Sequence, residues 1–309
     1  MKSNITQHII QIGIIGIGLA HTIPSQAVAP PTTINLWSPE YLAQQHTLPL
    51  PVEEQSTKGA ISHVAVPRML VYRPTQSNHK AIMVISGGGY RREELGKEGT
   101  PASEWLVKQG YTVFNLIYRL PMDGWHNKMV PFADGQRALR IIRQKANDYD
   151  YDQVGVMGFS AGGHLAGMLA VSAGHNFYPY QDIIDNNSAR PDFVALLYPV
   201  VSMVSDGHRT QSYKQLLGNN ATDSQKQALS IERQVNKDTP PMFIAHAKDD
   251  PIASVNDSIA LDEQLKKQGI KQLLTLFNEG GHGWGMGKAG TATTTWPALF
   301  KQWADSLKR

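Results

Sequence analysis

Residues 154–166 read Val-Gly-Val-Met-Gly-Phe-Ser-Ala-Gly-Gly-His-Leu-Ala. An apolar run ends in Gly158-x-Ser160-x-Gly162, and a helical stretch with Leu165, Met168 and Leu169 follows at once. The pattern marks a sharp strand-to-helix turn. Its flanking positions must be small so that strand and helix can approach, and its serine is held in a strained backbone conformation. Ser160 Oγ would then stand at a helix N-terminus, where the dipole favours developing negative charge. A chance match in a glycine-rich turn would lack the strand before and the helix after. His164 lies one helical turn from Ser160 and reads as a structural residue, because a base for this serine comes from another element.

The remaining sequence agrees with that turn. Short apolar runs at Ala81–Ile85, Thr112–Ile117, Phe193–Val200, Met242–Ala247 and Leu273–Phe277 predict strands buried on both faces. With Val154–Phe159, Ile61–Val66 and Met69–Tyr72 they make eight, the last two an antiparallel edge pair. Helical stretches fall at about 101–109, 132–146, 161–173, 254–268 and 295–308. Strand–helix alternation predicts an α/β fold: a mostly parallel sheet with helices on both faces. Residues 28–59 are rich in Pro, Gln and Thr and predict an extended N-terminal arm before a catalytic domain at 60–309. The irregular stretch 201–239 falls beyond the carboxyl end of a strand, where sites form in such sheets, and predicts a cap-like insertion.

Two further loops carry chemistry. Ser86-Gly87-Gly88-Gly89-Tyr90 follows the first buried run, and a glycine run lets backbone N–H groups turn inward. Two such groups, with the N–H of Ala161, can hold a tetrahedral oxyanion. Gly280-Gly281-His282-Gly283 follows the last predicted strand, so His282 is the candidate base. Ser160, an acid after the Met242 strand and then His282 is the chain order in which a serine triad occurs on such sheets. Asp249 and Asp250 compete as the acid. Asp250 precedes Pro251, which biases it toward extended backbone, and is preferred. His246 lies within a predicted strand and reads as core. Tyr90, Trp125 and Trp284 are candidates for an acyl wall or a sugar-stacking face.

Composition and termini exclude other classes. The 309 residues hold 29 Lys+Arg against 26 Asp+Glu, interspersed, so clustered cations for nucleic acid are lacking. There is no cysteine, hence no disulfide, thiol nucleophile or Cys-ligated zinc. Gly285-Met286-Gly287-Lys288-Ala289-Gly290 matches a dinucleotide fingerprint literally but neither follows a strand nor opens a helix. No cofactor or metal is expected. Lys2, an apolar run at 9–20 and small residues to Ala27 form the pattern of a cleaved signal peptide at 1–27. A membrane anchor is the other reading, but the run is short for a spanning helix, which needs about 20 residues; cleavage implies secretion or a periplasmic location, without stable membrane association. Nothing in the sequence speaks to oligomeric state.

Together these segments, with Leu197-Tyr198-Pro199-Val200, Leu216-Leu217-Gly218, Thr239-Pro240-Pro241-Met242-Phe243 and His246-Ala247-Lys248-Asp249-Asp250, resemble a known group. It is that of bacterial acetyl-xylan-esterase-like and feruloyl-esterase-like carboxylesterases of the α/β-hydrolase superfamily. The resemblance covers about 60–308. It implies hydrolysis of carboxylic esters, often acyl groups on polysaccharide, by an acyl-enzyme route with Ser160, His282 and Asp250. The partner is then a small ester or an acylated carbohydrate. In related enzymes the second and third glycines of a His-Gly-Gly-Gly motif donate to the oxyanion, which implies Gly88 and Gly89. Ser86 stands where that motif has His. The spacing of the related acid loop also favours Asp250. A peptidase of the same fold and a binding module with that fold are the other readings; the module predicts a damaged triad, and here all three residue types are present.

Overall fold

The computed structural model describes residues 29–47, 49–205 and 210–307. The expected leader at 1–27 and Asp206–Arg209 of the expected cap lie outside the described residues.

Eight strands form one sheet: β1 Thr32–Asn35, β2 Arg68–Tyr72, β3 Lys80–Ile85, β4 Thr112–Ile117, β5 Gln153–Phe159, β6 Phe193–Leu197, β7 Met242–Ala247 and β8 Gln272–Phe277. Their order is β1-β2-β4-β3-β5-β6-β7-β8. β1 and β2 run antiparallel to their neighbours, and β3 to β8 pair in parallel.

The count of eight agrees with expectation, but the membership differs. Ile61–Val66 does not join the sheet. Only Ile61–Ser62 is extended, in a two-stranded ribbon with Glu54–Gln55. His63 takes φ 58°, a left-handed conformation that breaks strand continuation. The edge place is filled by β1, from the stretch read as an irregular arm. That stretch is packed rather than loose: Trp37, buried, donates from Nε1 to Asp134 at 2.6 Å. Asp134 also accepts a multidentate bond from the buried Arg119.

The longer helices among the described residues are α1 Thr100–Lys108, α2 Val130–Gln144, α3 Ala161–Val171, α4 Gln211–Leu217, α5 Val255–Lys267 and α6 Trp296–Asp305. Every residue of β3 is buried, and its side chains alternate between two cores. Ala81, Met83 and Ile85 pack with Leu139 of α2, Leu165 of α3 and Leu261 of α5. Ile82 and Val84 pack with Leu106 of α1 and with Trp296 and Phe300 of α6. A strand covered on both faces has no solvent-facing position, which is why these runs are mostly apolar; Asn115 in β4 and His246 in β7 are buried exceptions. The stretch 201–239 carries α4 and two further short helices, Asp223–Ala228 and Ile231–Gln234. Among the described residues no helix is long and apolar enough to cross a membrane.

Candidate active site

The turn between β5 and α3 has the geometry its sequence demands. Ser160 sits at φ 51° and ψ −116°, a region that costs a non-glycine residue about 1–3 kcal/mol. Two glycines make the turn possible. A Cβ on Gly158 would run into the carbonyl of Gly162, and a Cβ on Gly162 would run into the carbonyls of Ile85 and Ser86. The rest of α3 is wholly buried, so the serine stands on a rigid post.

Three side chains from three loops meet at this point. Ser160 Oγ lies 2.7 Å from Nε2 of His282, 122 residues away in sequence. His282 Nδ1 lies 2.6 Å from Oδ2 of Asp250. With its Nδ1–H given to the carboxylate, the imidazole presents the Nε2 lone pair to the serine hydroxyl. Asp250 is held from both sides. Its Oδ1 accepts from the backbone N–H of Ile252 and Ala253, and His246 Nε2 lies 3.1 Å from its Oδ2. Burial works against its charge, yet the bonds from His246 and His282 hold the carboxyl well below the usual carboxylate range. His246 is fully buried, as the strand pattern predicts, and its Nδ1 pairs with Ser258 Oγ at 2.8 Å. Asp249 has a different task. Its Oδ1 accepts from the N–H of Gly281 at 2.8 Å, fixing the loop that carries His282.

Gly88 and Gly89 line a cavity of about 450 Å³ together with Ser160 and His282. They take φ 119° and 67°, open to glycine. Among the described residues the N–H groups of Gly88 and Gly89 have no protein acceptor. Ala161 opens α3, so its N–H has no intrahelical acceptor by position. Ser86 is buried and its hydroxyl is unpaired.

The three aromatic candidates do not face this cavity. Tyr90 is fully buried, with its hydroxyl 2.8 Å from His164 Nδ1. Trp125 packs edge-on to His46 and under the Arg119 guanidinium. Trp284 packs edge-on to Tyr198 and Phe277. Each ring is spent on the core, where its large apolar area belongs. His164 is fully buried and structural, as its helical position suggests; burial pushes its imidazole down to about 4. Neutral, it accepts from Tyr90 and donates through Nε2 to the Leu229 carbonyl at 2.8 Å.

Two residues escaped the sequence reading. Glu98 is buried and accepts from the Gly87 N–H at 2.6 Å and from the Tyr198 hydroxyl at 2.8 Å. The Tyr198 ring stands edge-on to His282, with centroids 5.0 Å apart. Tyr198 directly follows β6, and a residue at the carboxyl end of a sheet strand was the available signal. Nothing in the sequence around Glu98 gives such a cue. Among the described residues no cluster of His, Asp or Glu is arranged to hold a metal ion.

The strand order, the helices on both faces and the serine turn define an α/β-hydrolase. The BD-FAE family model matches residues 69–265, and the chain belongs to that family. The crystal structure of an acetyl ester-xyloside bifunctional hydrolase from Caldicellulosiruptor lactoaceticus superposes with a TM-score of 0.74 at 30% identity, covering 91% of this chain and 98% of that one. The acetylxylan esterase of Xylanibacter ruminicola is 32% identical over 226 residues, 71% of this chain and 44% of the relative. The endo-1,4-beta-xylanase B of Butyrivibrio fibrisolvens is 31% identical over 274 residues, 81% of this chain and 42% of the relative. The chain thus spans less than half the length of these two curated relatives.

Proposed function

We propose that the chain is an exported serine carboxylesterase that removes short acyl groups, acetyl above all, from carbohydrate esters. The observation that carries this reading is the unbroken chain from Ser160 Oγ through His282 to Asp250, with links of 2.7 and 2.6 Å. Ser160 Oγ attacks the ester carbonyl while His282 Nε2 takes its proton. The tetrahedral oxyanion is held by the N–H groups of Gly88, Gly89 and Ala161, worth roughly 10²–10³ in rate per donor in comparable sites. The C–O bond to the leaving alcohol breaks as His282 returns the proton to it. Water, deprotonated by the same imidazole, then cleaves the acyl-enzyme and restores Ser160. Asp250 keeps His282 in the right tautomer and stabilises the imidazolium at both steps.

The carbohydrate part of the proposal rests on family membership and on the polar lining of the cavity. Glycoside cleavage, which the name of the Butyrivibrio relative suggests, needs two carboxylates facing each other across the bond. Of the acids beside Ser160, Glu94 pairs with Arg92 and Glu98 is buried and bonded on both oxygens. Ester hydrolysis is therefore the reading favoured here. Export rests on the leader pattern at 1–27.

The test is acetate release from acetylated xylan, beside cleavage of p-nitrophenyl acetate and of a p-nitrophenyl xyloside. The proposal expects the first two and not the third. Cleavage of the model ester with no release from any polysaccharide would remove the carbohydrate assignment and leave the esterase. A protein exported by its own leader should begin near Val28 by intact mass; a retained leader would contradict export by cleavage.

A further inference from the structure

We propose that Glu98 is a positioning residue that, through Tyr198, locks the loop of Gly88 and Gly89 to the loop of His282. The proposal rests on the Ser160–His282 reading above. Glu98 lies in the π-helical turn Leu95–Gly99 that leads into α1 and is 3% exposed. Its Oε2 accepts the Gly87 N–H at 2.6 Å. Gly87 is so close to the serine that a Cβ there would lie 2.8 Å from Ser160 Cβ. Glu98 Oε1 accepts the Tyr198 O–H at 2.8 Å, and the same phenol oxygen accepts the Gly285 N–H at 3.0 Å. The Tyr198 ring lies against the His282 imidazole. One carboxylate therefore fixes the backbone beside the nucleophile and, one hydrogen bond further on, the backbone beyond the base.

The arrangement goes beyond what a core needs. A buried carboxyl group is costly, and burial pushes the Glu98 carboxyl up. Its two donors come from the two loops whose spacing decides whether oxyanion donors and base act on one substrate atom. Tyr198 itself is held at φ 37°, a conformation uncommon for a non-glycine residue. Strained backbone persists where the surroundings over-determine it, and such places cluster at active sites. Glutamine cannot replace the acid, because its amide offers one acceptor and turns N–H groups toward a second donor.

The experiment measures kcat and KM for p-nitrophenyl acetate in Glu98→Gln, Tyr198→Phe and the double variant, with melting curves for each. Labelling of the wild type with a fluorophosphonate comes first. If Ser160 is not labelled, the catalytic reading has failed, independently of Glu98. With labelling intact, each single substitution should lower kcat about 10- to 100-fold, the scale that misplacing reacting groups by an ångström produces. KM should change far less, because Glu98, although it lines the cavity, gives both carboxylate oxygens to Gly87 and Tyr198. The double variant should lose no more than the worse single, since both break one connection. Tyr198→Phe keeps the ring and its packing, so it remains informative where Glu98→Gln does not fold. An unchanged kcat in a folded single variant would overturn the proposal, including one with a lowered melting point. So would additive losses in the double variant.

Discussion

The Asp250 carboxylate accepts the His282 Nδ1–H at 2.6 Å, while its neighbour Asp249 accepts the Gly281 N–H one residue before that histidine. Adjacent acids thus serve one loop in two ways, the first through the imidazole and the second through the backbone. Asp250→Asn presents an amide where the imidazole needs an acceptor and favours the wrong tautomer. A comparable change in a serine protease costs about 10⁴ in rate, and a loss of that order in kcat is expected here. Asp249→Asn keeps an oxygen for Gly281 and should cost only a few-fold by comparison, since it removes no group acting on the imidazole. Steady-state rates of the two variants decide it; equal losses or the reverse ranking would contradict the assignment.

Gly158→Ala and Gly162→Ala should each destabilise the fold by ~3 kcal/mol or more. The added Cβ meets backbone carbonyls, which cannot rotate away as a side chain can. Urea unfolding at neutral pH measures this. A loss under about 1 kcal/mol would show that the turn relaxes, against a rigidly packed strand and helix.

Stability should fall on the acid side through His164. Burial holds its native imidazole near 4, against an ordinary value of 6.5. Between those values the unfolded chain binds a proton that the native chain refuses, so stability declines as pH falls through that window. The slope from this group approaches roughly 1.4 kcal/mol per pH unit. His164→Gln cannot take that proton. The expected result is a smaller fall in urea midpoint from pH 7 to pH 5 for the variant than for the wild type. Equal falls would mean that His164 protonates freely in the native state. Asp250 acts in a separate window. Its lowered value gives stability that is present above the ordinary Asp range and is lost only below it.

Short acyl esters should be cut better than long ones. Apart from its glycines, the cavity beside Ser160 has only Val200 and Ile252 as apolar lining among the described residues. Each buried methylene is worth about 0.8 kcal/mol, a gain a long acyl chain finds only on an apolar wall. The larger apolar cavity, bounded by Met168, Phe177 and Leu229, shares no lining residue with this one. Across p-nitrophenyl acetate, butyrate, octanoate and palmitate, kcat/KM should fall with length. A maximum at octanoate or beyond would contradict the expectation.

The sequence disclosed those parts of the molecule that local chemistry dictates. The turn around Ser160 needs small residues at 158 and 162, and strands buried twice over admit few polar residues, so both leave a pattern. The proline after Asp250 favours it over Asp249, and it is Asp250 whose carboxylate lies 2.6 Å from His282 Nδ1. What stayed hidden depends on long-range packing. Thr32–Asn35 is a four-residue edge strand with little burial, so no apolar run announced it. Ile61–Val66 looks like a strand until His63 turns left-handed. Tyr90 adjoins Gly89 and Trp284 lies two residues after His282, yet their rings, like that of Trp125, point into cores that only the assembled sheet creates. Glu98 bonds to Gly87 and Tyr198, the latter 100 residues away, a pairing with no local signature.

Ser160 is proposed as the nucleophile, with His282 Nε2 2.7 Å from its Oγ as the base. The most direct measurement is intact-mass and peptide mapping after exposure to a fluorophosphonate, run beside Ser160→Ala with hydrolysis of p-nitrophenyl acetate followed in both. The wild type should take up one label, on the peptide containing Ser160. The Ser160→Ala protein should melt at least as high, take up none, and retain only the residual rate that binding and oxyanion donors supply without a nucleophile. A label on another residue, or Ser160→Ala turning over the ester at the wild-type rate, would contradict the account.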